Sequence, residues 1–270
     1  MSDKPNQDHS TEEVWYSMLT TGDYDNMRRM RKIFKYLPKD PRCAHCNAPF
    51  EGIGATLVKL FYEIQPSKMN PRMCNDCELF AEKHQGGAEV ELAMLFADVR
   101  GSTTLAEGAS SMEFAQLIDR FYQVATEVLI HSDALIEKLI GDEVTAIFVP
   151  GYAGGDYTRR AISAAQKLLK ATGHSDPAGP WVPVGVGVHH GRAFVGAVGS
   201  KEGMVEITAL GDAVNIAARL ASQAGPGEII ASEEAILSAG LDGKELERRH
   251  LSLKGRSEPV DVRVMRVDAG

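Results

Sequence analysis

The chain has 270 residues, 44% of them hydrophobic, enough for one full-sized core and a smaller appendage. Its 29 Lys+Arg against 37 Asp+Glu leave a formal charge of -8, which argues against a nucleic-acid or anionic-membrane surface spread over the molecule. No stretch approaches the roughly 18 to 20 apolar residues of a membrane span, and the polar start MSDKPNQDHSTEEVW has no apolar segment behind a basic one, so a cytoplasmic location is expected.

Residues 1–10 are expected to be disordered. A helix is predicted from Thr11, with Glu12 and Glu13 in the first turn where the helix dipole favours acid, and Gly22-Asp23 interrupts it. A second helix, Tyr24 to Tyr36, carries Arg28, Arg29, Arg31, Lys32 and Lys35 and stops against Pro38 and Pro41. Its basic run reads as a solvated face.

All four cysteines lie in two pairs, Cys43-x2-Cys46 and Cys74-x2-Cys77. A chain without an export signal keeps its thiols reduced, so the pairs read as metal ligands rather than disulfides. Four thiolates from two tight turns close a tetrahedral sphere, the pattern of a structural zinc ion, with iron or an iron-sulfur cluster as the alternative. His45 and His84 could replace a ligand, but with four thiolates at hand they read as exposed loop histidines. Between the pairs, Gly52-Ile53-Gly54 and the amphipathic piece Thr56 to Ile64 suggest a short helix or hairpin. Gln85-Gly86-Gly87 marks a linker. The chain thus divides into a helical segment (1–40), a metal module (41–80), a linker (81–89) and a large domain (90–268).

From Val90 the pattern alternates. A strand (90–97), a helix (Met112 to His131), a hairpin (134–149) turning at Gly141-Asp142, and a helix (Thr158 to Thr172) come first. A second hairpin (Val182 to Val198) turning at His190-Gly191, a helix (Asp212 to Ala224) and short C-terminal strands follow. The order implies an α+β domain with a mixed, largely antiparallel sheet and helices on one face.

Two acids stand where strands stop: Asp98 after the apolar run Val90 to Ala97, and Asp142 in the turn. Two such strand ends side by side would hold a hard divalent cation. After Asp98, Gly101 lets the backbone approach an anion, and amides around Ser102 and Thr103 at a helix start would cradle phosphates.

The segments FADVRGST, EKLIGDEVTAIF, VGVHHGRAFVGAVGS and ALGDAVNIAARL, in that order from Val90 to Val267, resemble the class III nucleotidyl cyclase catalytic domain. The resemblance implies a ferredoxin-like core that forms head-to-tail homodimers with ATP or GTP bound between subunits in two shared sites. It implies Asp98 and Asp142 as ligands of two Mg2+ or Mn2+ ions, with the Val99 carbonyl as a further ligand. Lys138 and Thr208 fall on the purine-reading positions, Asn215 on the ribose-orienting one and Arg219 on the one facing the α-phosphate. Lys254 or Arg256 resembles the residue that grips the terminal phosphates. Asn215 and Arg219, four residues apart, share one helix face.

A lysine ammonium only donates, which suits adenine N1 and not the guanine N1–H. Lys with Thr resembles the subgroup related to bicarbonate-responsive soluble adenylyl cyclases. The expected activity is conversion of ATP to cyclic AMP and pyrophosphate. The alternatives are a guanylyl cyclase, a catalytically degenerate nucleotide-sensing or scaffold protein, and a binding protein whose N-terminal metal module engages a regulatory partner or nucleic acid through Arg28 to Lys35.

Overall fold

The structure, a computed structural model, describes residues 10–22, 27–37, 41–68, 70, 72–199, 205–252 and 259–267. Lys254 and Arg256 lie outside the described residues, as do the expected disordered residues 1–9, Asp23, Tyr24 and Pro38.

The N-terminal part contributes α1 (Thr11–Thr20), α2 (Met27–Phe34), α3 (Gly52–Tyr62) and α4 (Asn75–Lys83). Ser10 starts α1 by a reciprocal cap, its hydroxyl accepting from the Glu13 amide at 3.2 Å while the Glu13 carboxylate accepts from its own amide at 2.9 Å. The piece between the cysteine pairs is helical, α3. The residues read as a linker are divided between the end of α4 and the start of β1.

The larger part runs β1 (Gly86–Val99), α5 (Ser102–Gly108), α6 (Ser111–His131), β2 (Leu135–Ile140), β3 (Glu143–Phe148), α7 (Pro150–Ala153) and α8 (Tyr157–Ala171). It continues with β4 (Val184–Gly199), β5 (Val205–Leu210), α9 (Asp212–Gln223), β6 (Glu228–Ser232), α10 (Glu233–Ser238), β7 (Glu247–Leu251) and β8 (Val260–Arg266). The strands form one sheet in the order β2-β3-β1-β4-β6-β8-β7, with β5 beside β4. Only β4–β6 is parallel among these pairs, so the expected mixed, largely antiparallel α+β sheet is present.

Alternate residues of β1 serve two cores. Ala93, Leu95 and Ala97 pack with Phe121 and Leu129 of α6 and Ala165 and Leu168 of α8. Leu92, Met94 and Phe96 pack with Trp15, Met18 and Leu19 of α1 and Ala213, Ala217 and Ala221 of α9. Helices therefore cover both faces, not one as expected. A strand buried on both sides needs an unbroken apolar run, and Leu92 to Ala97 is one.

The second expected hairpin is also corrected. His190 and Gly191 are mid-strand in β4, paired with Ala93 and Leu92 of β1, and the reversal comes after Gly199. The glycines of β4 bring α9 close instead: a Cβ on Gly187 would stand 2.3 Å from the Ala221 nitrogen and 2.5 Å from the Ala217 oxygen. That close approach seats α9, the helix of Asn215 and Arg219, directly on the strand.

The basic run of α2 is not wholly solvated. Arg31, 3% exposed, and Lys35, 8% exposed, lie four residues apart on one buried face. Arg31 donates to the His45 carbonyl and, at 2.6 Å, to the Ala134 carbonyl, while Lys35 pairs with Asp133 at 2.7 Å. Burial lowers the Arg31 pKa from the usual guanidinium value. These cations are retained inside because carbonyls and a carboxylate meet them there.

Candidate functional site

β1 and the β2–β3 turn bring the two acids to adjoining strand ends. Asp98 is the cross-strand partner of Glu143, and the Val99 amide donates to the Asp142 carbonyl at 3.1 Å. Gly141 provides the left-handed turn conformation, φ 62°. Tyr122 of α6 pins that turn by donating to the Gly141 carbonyl at 2.9 Å. Burial raises the Glu143 pKa, helped by Asp142 and Glu137 and opposed by Arg100. Burial likewise raises the Tyr122 pKa, with Asp142 and Glu143 adding to it.

Arg100, quoted within its motif but given no role by sequence reasoning, sits among these acids. Its guanidinium pairs with the Asp98 carboxylate and donates to the Asp98 carbonyl at 3.3 Å and to the Ser222 carbonyl at 3.2 Å. Burial lowers the Arg100 pKa against the raising pull of Asp142 and Glu143. A set of hard oxygens that already holds one cation is the donor chemistry a magnesium or manganese ion takes. Gly101 follows in the left-handed region, φ 69°, and places Ser102 and Thr103 in the first turn of α5.

Lys138 and Thr208 meet through a residue that sequence reasoning missed. Glu137 falls where the β2–β3 register shifts, between Ile136 and Lys138, and is 7% exposed. Its Oε1 accepts from the Thr208 hydroxyl at 2.6 Å and the Ala209 amide at 3.3 Å, and lies 3.4 Å from Lys138 Nζ. Its Oε2 accepts from the Thr145 hydroxyl at 3.1 Å. No pattern announces this, because adjacent strand residues normally point to opposite faces and the bulge is what brings the Lys138 ammonium to the Glu137 carboxylate.

Asn215 and Arg219 lie on α9. Asn215 is exposed and Arg219 half-buried, and among the described residues neither side chain has a hydrogen bond or ion pair. Both are available to a ligand.

Away from this region, the Cys43, Cys46, Cys74 and Cys77 sulfurs all lie within 4.8 Å of one another and are buried. Cys46 Sγ stands 3.7 Å from Cys74 Sγ. The Cys74 amide donates to Cys43 Sγ at 3.4 Å and the Cys77 amide to Cys74 Sγ at 3.5 Å. Amides aimed at sulfur favour thiolates, so the donor set fits a closed four-thiolate metal centre. The two histidines are outside the cluster and, contrary to expectation, half-buried rather than exposed. Burial lowers the His45 pKa to about 4, and the His84 ring stands 4.9 Å from that of Phe80.

The family described as "Adenylate and Guanylate cyclase catalytic domain" matches residues 86–264, a span that holds both acids, Lys138, Thr208, Asn215 and Arg219. The chain belongs to this family. An uncharacterized protein of Mycobacterium tuberculosis is 30% identical over 179 residues, 65% of this chain and 32% of that protein. "Adenylate cyclase 1" of Rhizobium meliloti is 32% identical over 145 residues, 51% of this chain and 22% of its own length. This chain thus spans about a third or less of these curated relatives. Among solved structures, the guanylyl cyclase Cya2 has a TM-score of 0.61 at 23% identity, covering 67% of this chain and 93% of its own. The adenylyl cyclase CyaB from P. aeruginosa has a TM-score of 0.57 at 24% identity, covering 66% and 94%. Both share the cyclase fold. The four cysteines precede the cyclase segment. Among the described residues, no helix is long and apolar enough to cross a membrane.

Proposed function

We propose that this cyclase-family chain converts ATP to 3′,5′-cyclic AMP and pyrophosphate in a homodimer with two shared sites. The observation that carries the choice of ATP is the meeting of Lys138 and Thr208 at Glu137 Oε1. It sets a donor-only ammonium beside a hydroxyl, the complement of adenine's N1 acceptor and exocyclic amine.

Separation within one chain supports taking the base-reading residues from the partner. Asp98 pairs with Gly185 near one end of β4, whereas Thr208 pairs with Gly196 near the other. Lys138 stands four residues before Asp142, about 13 Å of extended chain. In the dimer one protomer supplies Asp98, Asp142 and the Val99 carbonyl. Its partner supplies Lys138 and Thr208 for the base, Asn215 for the ribose and Arg219 for the α-phosphate. Lys254 or Arg256 takes the terminal phosphates, and the amides at Gly101, Ser102 and Thr103 add phosphate contacts.

Ring closure joins the ribose 3′-oxygen to the α-phosphorus as the bond to pyrophosphate breaks, and the 3′-hydroxyl proton passes to solvent water. Asp98 and Asp142 would hold magnesium or manganese ions, which would supply positive charge to activate the nucleophile and offset the leaving group. The Arg219 guanidinium meets charge growing on the α-phosphate, and its fixed planar fork suits that task. Arg100 neutralises Asp98 and would have to yield that carboxylate to a bound metal ion. Cys43, Cys46, Cys74 and Cys77 would hold a zinc ion as a structural centre of the N-terminal module.

The test is product analysis with ATP and with GTP, in Mg2+ and in Mn2+. Cyclic AMP as the preferred product is expected; preferred cyclic GMP overturns the choice of base, and no cyclic product from either overturns catalysis.

A further inference from the structure

Glu137 has no counterpart among the residues expected to touch the nucleotide, yet it is the point where the base-reading pair meets. From this geometry we infer that Glu137 is a positioning residue that sets base specificity by fixing the direction of the Thr208 hydroxyl hydrogen. The inference rests on the proposed reading of Lys138 and Thr208 as the purine-reading pair.

A threonine hydroxyl has one hydrogen and two lone pairs and rotates to suit its partner. Left free, it would accept from adenine's exocyclic amine or donate to guanine O6 with equal ease, and so discriminate little. Glu137 removes that choice. Its Oε1 is approached by the Ala209 amide at 3.3 Å and the Lys138 ammonium at 3.4 Å, groups that can only donate, so this oxygen acts as an acceptor. The Thr208 hydroxyl, 2.6 Å away, must therefore spend its hydrogen on Glu137. What remains for a ligand is acceptor capacity alone. The pair then offers one donor, Lys138, and one acceptor, Thr208. Adenine matches with N1 and its amine; guanine presents N1–H to the ammonium and O6 to the hydroxyl, two mismatches.

Glu137 is not itself a reader of the base. Four protein donors surround its two oxygens, and it is 7% exposed, so little of it is left for a purine. Its place is secured from outside the catalytic part, because Arg72 donates to the Glu137 carbonyl at 2.6 Å.

The experiment compares kcat/KM for ATP and GTP in the intact 270-residue chain and in five variants, with binding of 3′-deoxy-ATP and 3′-deoxy-GTP as a readout that needs no turnover. Glu137→Met keeps the bulk but no acceptor, so the ATP-over-GTP ratio is expected to fall about tenfold, the worth of one neutral hydrogen bond. Glu137→Asp withdraws the carboxylate and should move the ratio the same way, so it carries the test if the Met variant does not fold. Glu137→Gln leaves a carbonyl facing the obligate donors at the Oε1 position and should keep the wild-type ratio. In the Thr208→Val background, Glu137→Asp should change the ratio no further. A merely structural role would lower both activities together and leave the ratio alone. If wild type prefers ATP while Glu137→Met and Glu137→Asp keep its ratio, this inference falls and the proposed function stands. If wild type prefers GTP, both fall.

Discussion

Arg72 Nη2 and the carbonyl oxygen of Glu137 lie 2.6 Å apart, tying the loop ahead of Cys74 to the irregular point of β2. The carbonyl of Arg72 in turn accepts from the Ala44 amide at 2.9 Å, inside the first cysteine turn. Arg31 makes a parallel link from His45 to Ala134 at the head of β2. Two arginines thus brace the thiolate cluster against the strand that bears Lys138.

Replacing Arg72 by Met should expose what this brace is worth. The variant keeps much of the aliphatic packing but leaves the Glu137 carbonyl without its charged donor, a loss of about 2 kcal/mol. A lower urea midpoint and a higher KM for ATP are expected together, because the bulge that seats Glu137 loosens. An unchanged midpoint and KM would mean the contact carries no weight.

The thiolate cluster predicts a single zinc ion per chain in metal analysis of the purified protein. Cys46→Ser should abolish it and lower the thermal midpoint, since metal binding free energy is also folding free energy for such a module. Iron with acid-labile sulfide in place of zinc would overturn the choice of metal and leave the ligand set intact.

Much of this was legible because the signals are local. Glu12 and Glu13 behind Thr11, the Gly141-Asp142 turn and the paired cysteines each declare themselves within a few residues. What escaped depends on pairing and packing. His190-Gly191 looks like a turn until β1 is seen beside it, and Gly187 shows its purpose only against Ala217 and Ala221. Arg31 and Lys35 look like solvent-facing charges until Ala134 and Asp133, about a hundred residues away in sequence, supply their partners. Of the site, the strand-end positions of Asp98 and Asp142 were readable from the local pattern, and Asn215 and Arg219 came with the family resemblance, whereas Glu137 and the Arg100 to Asp98 pairing came from the folded chain alone.

Acid should weaken the protein through Glu228, which fixes the loop after α9. Its carboxylate accepts from the Gly225 amide at 3.0 Å and from Arg249 at 3.0 and 2.8 Å. Hydrogen bonds from Arg249, then from Gly225 and Arg266, hold its pKa down from 4.5 to about 2 against the opposing effect of burial. A carboxylate depressed on folding stabilises above its unfolded pKa and loses that effect as pH falls through the folded value. Wild type should therefore exceed Glu228→Gln in urea midpoint at pH 7, and the gap should narrow as pH drops below 4.5 toward about 2. A gap independent of pH would show that the charge of Glu228 is not what counts.

Mixing two inactive variants tests whether the sites are shared. Asp98→Ala removes a metal ligand from both sites of its homodimer, and Arg219→Ala removes the α-phosphate cation from both sites of its own. In a mixed dimer one site receives both lesions while the other receives neither. Random exchange of equal amounts makes half the dimers mixed, each with one intact site of two, so about a quarter of wild-type activity should return. Asp98→Ala mixed with Asp142→Ala is the control: both lesions lie in the same half-site, so every site keeps one and no activity returns. Silence from the first mixture, with exchange confirmed by native mass spectrometry, would place both halves of the site in one protomer.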